Sequence, residues 1–263
     1  MVRRTGLAAA VFLLCSVFSL GTEKDKQPDP EWATITERGR MLAQYDTAAW
    51  HATDAVEALK PDKSIAPVYI AKKVDLGWEV VFGRLNDRRD RFLIVYQASQ
   101  GANPSEFMVK KLDPPSEDQG FYLAAARALE TASRDFGKPR RPYNAYVLPA
   151  PQNQLYTYYL PAQTTNGVYP FGADVRYLLS EDGNSIVQKR QMHKTILEFD
   201  SRKKPKDAVK IESGYHTHVL SNLPEDSDVF YVLARKPSIP EYVGSLDGKI
   251  YVILVDGTIL LGK

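Results

Sequence analysis

Two histidines separated by one residue, His216 and His218 in Ser213-Gly214-Tyr215-His216-Thr217-His218, are followed ten residues later by Asp228. Side chains in a strand alternate faces with a period of two, so the two imidazoles point the same way and make a two-pronged metal clamp. A carboxylate delivered by the following loop completes a set of two histidines and one aspartate with one position open, the arrangement of catalytic rather than structural zinc. Asp226, in the same Pro224-Glu225-Asp226-Ser227-Asp228 run, is the alternative third ligand. The remaining histidines are read differently: His51 falls on a helical pattern with no second ligand type spaced to join it. His193 has basic neighbours, Lys189, Arg190 and Lys194, that disfavour metal binding, which gives it a surface or second-shell role.

Composition narrows the setting of this site. The chain has 263 residues, 44% hydrophobic and 25% charged, as in an ordinary globular protein long enough for one large domain or two small ones. Its 34 basic and 32 acidic residues are interspersed and nearly cancel, at a formal net charge of +2, so neither nucleic acid nor a membrane surface is indicated as a partner. Arg3 and Arg4, an apolar run from Leu7 to Leu20 and a small-residue site at Gly21 read as a secretory signal, residues 1–21, implying a secreted or periplasmic mature chain with no stable membrane span. Cys15 is the only cysteine and lies in that segment; the mature chain then has no disulfide, and His, Asp and Glu must supply any metal ligands.

The elements that must position the site follow from periodicity. Asp29-Pro30-Glu31 reads as a helix start, and apolar residues recur at three- and four-residue steps from Trp32 to Leu59. Strand patterns at 68–70, 78–82 and 92–96 make an antiparallel meander, so 22–112 reads as a small helix-and-meander module. Asp113-Pro114-Pro115-Ser116 reads as a linker, and Ser116 to Gln119 as a capping box before an alanine-rich helix, Phe121 to Phe136, ended by Gly137. Strands are expected at 143–148 and 155–160, a hairpin at 174–180 and 185–189, and a short strand at 195–199. Lys203-Lys204-Pro205-Lys206 reads as a solvated turn, and 208–220 as the strand bearing the clamp. Beyond Asp228, residues 229–234 fit a short helix or a strand, and Asp247-Gly248 and Asp256-Gly257 mark two hairpin turns in a final meander.

Gly214-Tyr215-His216-Thr217-His218 with Pro224 and Asp228 resembles the JAMM motif of the JAB/MPN metalloprotease family, a His-Ser/Thr-His strand followed by a loop ending in Ser-x-x-Asp. The resemblance covers about residues 117–263, within a second domain read as 113–263. It implies an α+β domain with a mixed sheet and flanking helix, zinc held by His216, His218 and Asp228, and hydrolysis of a peptide or isopeptide bond in a peptide or protein substrate. The sequence departs from the family pattern at Val219, where the family has proline, and at Glu225, where it has the serine that supports the oxyanion; Ser227 lies two residues further on. The family's glutamate base belongs on an early strand, where this chain carries Asn144, which cannot take a proton from water. Glu198, on a neighbouring strand, and Glu212, sharing a strand face with the histidines but about 13 Å away along an ideal strand, are the remaining candidates, alongside no base at all. Two functions are therefore expected: a secreted zinc hydrolase, or a catalytically inactive relative that binds metal or a partner protein.

Overall fold

The computed structural model describes residues 29–62, 64–203 and 211–262; the expected signal sequence, the Lys204-Pro205-Lys206 part of the expected turn and the first three residues of the expected 208–220 strand lie outside them. The fold is α+β, with three α-helices and several sheets, mostly antiparallel, among the described residues. No helix among the described residues is long and apolar enough to cross a membrane.

Helix α1 runs Pro30–Glu57, its first turn closed by the Asp29 carboxylate, which accepts from the Glu31 backbone N–H at 2.9 Å. Its buried stripe, including Leu42, Tyr45, Ala49, Ala52 and Val56, packs on an antiparallel meander of β1 (Val68–Val74), β2 (Gly77–Leu85), β3 (Phe92–Gln100) and β4 (Phe107–Asp118). The same core takes in Tyr146, Leu148, Tyr158, Leu160 and Met192, so segments on both sides of residue 113 bury their apolar faces together.

Residues 113–116 are strand, not linker. β4 is the edge of its sheet and pairs with β3 as far as Phe92↔Asp118, with a register shift at the prolines. An edge strand tolerates the missing N–H groups of Pro114 and Pro115, which composition alone reads as a break. Ser116 is therefore not a helix cap. Helix α2 (Phe121–Phe136) starts after Gly120, and Asp118 supplies the cap by accepting from the Gly120 and Leu123 N–H groups at 3.0 Å each.

The second half pairs β5 (Tyr143–Pro149), β6 (Leu155–Pro161), β8 (Val175–Leu179) and β9 (Ile186–Gln191) in one antiparallel sheet. β7 (Val168–Gly172), which the pattern does not announce, pairs with β10 (Ile196–Asp200). The last sheet contains the clamp. β11 is only four residues, Gly214–Thr217, and runs parallel to β12 (Glu241–Gly244), followed by the hairpins β12–β13 (Ile250–Ile253) and β13–β14 (Ile259–Leu261). A parallel pair needs a crossover, and helix α3 (Asp226–Ala234) provides it, lying over the sheet with its N-terminus beside the end of β11. The 229–234 run is thus helix.

α3 also docks on α1, and the contact is close enough to exclude a side chain at Gly39. A Cβ there would lie 2.4 Å from Val229 Cβ and 2.7 Å from the Asp226 carbonyl oxygen. Gly39→Ala, which by helix propensity alone would stabilise α1, is expected instead to destabilise the protein by about 1–3 kcal/mol through overpacking; urea unfolding with matched m-values checks the sign.

Candidate metal centre

His216 lies on β11 with its side chain turned inward, and His218, two residues on, falls on the same side just past the strand end, where its N–H still bonds the Gly244 carbonyl at 2.7 Å. Asp228 occupies the third position of α3, inside a capping box: its Oδ2 accepts from the Glu225 backbone N–H at 2.6 Å. The fourth member is His193, in the connection from β9 to β10. Of the two roles expected for it, at the surface or supporting a ligand, the surface one is incorrect, and its ring stands among the candidate ligands. His193, His216, His218 and Asp228 are 7%, 5%, 5% and 0% exposed, and one ligand atom from each lies within 4.8 Å of the others.

The local contacts are tight. His218 Nε2 is 2.9 Å from His193 Nε2, 3.3 Å from His216 Nε2 and 3.1 Å from Asp228 Oδ2. Asp228 Oδ1 lies 3.1 Å from His193 Nε2 and 3.2 Å from His216 Nε2, yet it accepts no well-directed hydrogen bond and is fully buried.

Each imidazole is held from behind at Nδ1. His193 Nδ1 meets Asp174 Oδ1 at 2.8 Å, His216 Nδ1 meets Glu241 Oε1 at 2.9 Å, and His218 Nδ1 meets the Leu223 carbonyl at 2.9 Å and Ser221 Oγ at 3.0 Å. These acceptors place the proton on Nδ1 in all three rings and leave the Nε2 lone pairs facing one another. Lone pairs about 3 Å apart repel, so this convergence requires a cation or protons between them. The cluster can hold a metal ion.

The supporting residues explain features of the motif. Glu241 sits opposite Gly214 in the β11–β12 register and reaches His216 only because Gly214 has no side chain; a Cβ there would lie 2.0 Å from Glu241 Oε2. Its other oxygen accepts from Arg235 Nη1 at 2.7 Å, and Arg235 is itself buried against the Tyr231 ring. Phe171 of β7 covers the rings of His193 and His216 at centroid distances of 4.6 and 4.7 Å, excluding water on that side.

No family model, curated protein or solved structure matches the chain.

The other expected site residues lie elsewhere. Asp226 is not a ligand: two residues before Asp228 on a helix, it is rotated by about 200° to the opposite face. There it accepts from Arg38 Nε at 2.9 Å and Tyr158 Oη at 2.9 Å, and pairs with Arg176. Glu198 is half-exposed on β10 and pairs with Arg141 at 3.1 Å, and Glu212 is exposed ahead of β11; neither belongs to the cluster. Ser227 is buried but donates to Met192 Sδ at 3.8 Å, while Ser221 is the serine that touches a ligand. Asn144, on β5, donates to Tyr146 Oη at 3.3 Å. Asp174 and Glu241 are the carboxylates that sequence reasoning missed. The one signal for Asp174 is the legible 174–189 hairpin, whose register sets Val175 against Gln191 and so brings Asp174 to His193.

In protein stripped of metal by a chelator, burial opposes charging His193 but the Asp228 and Asp174 carboxylates outweigh it and raise its pKa to about 11; His216, buried likewise, is raised to about 9 by Asp228 and Glu241. Folded-state values above the unfolded value of about 6.5 contribute stability that is complete below that value and is lost as pH rises through 9 and then 11. The metal-free protein should therefore melt at falling temperature from pH 8 to 11 in calorimetry, while metal uptake releases protons and strengthens with pH. Glu241→Gln and Asp174→Asn, which keep shape but weaken the hold on Nδ1, should each weaken metal binding about 10- to 100-fold in chelator-competition titrations.

Proposed function

We propose that this protein is a zinc-binding protein whose centre is closed by four side chains and serves structure or partner binding rather than hydrolysis. The observation that supports this reading above others is the approach of His193 Nε2 to within 2.9 Å of His218 Nε2 and 3.1 Å of Asp228 Oδ1, which adds a fourth ligand to the two-histidine, one-aspartate set. Tetrahedral zinc with ligand distances near 2.05 Å has ligand–ligand edges of about 3.3 Å, and the separations of 2.9 to 3.3 Å between the donor atoms are those of a slightly contracted version. Imidazole and carboxylate ligands suit zinc, and three neutral imidazoles with one carboxylate leave a site of net charge +1.

A hydrolase of JAB/MPN type would need a position for water and a carboxylate poised over it. The carboxylates next to this cluster, Asp174 and Glu241, are engaged at Nδ1 of His193 and His216. The reading that fits is a domain resembling that family in its His-x-His strand and helix-borne aspartate, with its metal joining β11, the β9–β10 connection and α3 in one cross-link.

Purified protein should carry about one zinc per chain by mass spectrometry of the metal, as closed four-ligand sites do. His218→Ala should lose the metal and unfold at lower denaturant, whereas His193→Ala should retain it more weakly. A metal-free wild type of unchanged stability contradicts the metal reading. Zinc-dependent cleavage of peptide or isopeptide substrates by the wild type contradicts the structural one.

A further inference from the structure

A cleft of about 730 Å³ opens between α1, the β6–β7 connection and the C-terminal end of α3, and none of the four residues of the candidate metal centre lines it. One wall is a second stripe of α1: Ala43, Asp46, Thr47, Trp50 and Thr53 recur at helical spacing beside the stripe buried in the core. A face turned simply to solvent would carry lysines and glutamates; this one carries a large indole, hydroxyls and a half-buried carboxyl group. Trp50 is 62% exposed and is held by stacking on His51, with ring centroids 4.8 Å apart and planes at 19°, which leaves its other face open.

Gln163, Asn166, Tyr169, Tyr69 and Asn144 line it as well. Part of that lining is pre-organised. Tyr146 Oη donates to Asp46 Oδ1 at 2.7 Å and accepts from Asn144 Nδ2 at 3.3 Å, so the second oxygen of Asp46 and the amide oxygen of Asn144 stay outside that chain of bonds. Burial raises the pKa of the Asp46 carboxyl, partly offset by the Tyr146 hydroxyl.

Volume and lining select the ligand. The size is that of a small-molecule site rather than a surface dimple. Three aromatic rings offer flat apolar faces, and planar amides and a carboxyl group offer paired donors and acceptors, the set that matches the C–H faces and vicinal hydroxyls of a sugar ring. Lys236 is the only cation among the described lining residues, too little for a nucleotide or a sulfated polymer. Asp46 is the only carboxylic acid among them, whereas glycoside hydrolysis takes a pair. We propose that the cleft formed by Trp50, Asp46, Asn144 and Tyr169 binds a neutral oligosaccharide without cleaving it.

The test is isothermal titration calorimetry of the full chain with cellohexaose, maltohexaose and chitohexaose as probes. At least one should bind with a Kd between about 10 μM and 1 mM and perturb tryptophan fluorescence, with no shorter sugars appearing on incubation. Trp50→Ala and Asn144→Ala should each weaken binding at least tenfold, and Trp50→Phe should recover part of it. Because Trp50 is exposed, circular dichroism and zinc content of Trp50→Ala should match the wild type, which separates this site from the metal reading. Absence of binding by all three sugars at millimolar concentration, binding unchanged in both alanine variants, or binding of heparin in their place would overturn the proposal.

Discussion

Asp228 places a carboxylate where no solvent reaches it, and the C-terminal part of the fold is arranged around compensating that group. An isolated buried carboxylate costs several kcal/mol. Here the first turn of α3 contributes its positive end and the Glu225 N–H, and three imidazoles approach from β11 and from the β9–β10 connection. Those imidazoles are themselves buried, and each is oriented by Asp174, Glu241 or the Ser221–Leu223 turn. Charge and orientation thus pass outward in layers until they reach Arg235, which neutralises Glu241.

The adjacent aspartate shows how the helix divides the work. Asp226 and Asp228 open the same short helix but project to opposite faces, one toward Arg38 of α1, Arg176 of β8 and Tyr158 of β6, the other into the metal cluster. α3 is therefore pinned on both sides by ionic contacts before its apolar residues, Val229 and Val232, enter a core with Ile35, Val243 and Ile253. Gly39 permits that approach. The N-terminal helix is consequently part of the frame of the candidate metal site, although it lies almost two hundred positions away in sequence.

A third histidine is what distinguishes this cluster from the set that its motif suggests. Two histidines on a strand and one aspartate leave a coordination position, and chemistry at such a centre depends on what fills it. His193, anchored at Nδ1 by Asp174, turns its Nε2 toward the place where a fourth donor would stand, and Phe171 covers the adjoining side.

Much of the local structure was legible along the chain because it depends on near neighbours. α2 ends at Phe136 before Gly137 as its composition indicates, the Asp-Gly turns close the last two hairpins, and the spacing of His216, His218 and Asp228 reflects strand and helix geometry that acts within a dozen residues. The choice between Asp226 and Asp228 required knowing that the segment is a helix with Glu225 as its cap. Pro114 and Pro115 read as a break because edge position in a sheet is a property of pairing, not of composition. His193, Asp174 and Glu241 became visible as a site only in three dimensions, since a hairpin register and a parallel crossover set which distant residues share a buried volume. The sequence by itself pointed to His216, His218 and Asp228 as a group that could hold a metal ion. The tertiary structure alone decided that His193 joins that group, because it arrives from a strand connection whose basic neighbours disguise it and whose placement depends on long-range packing.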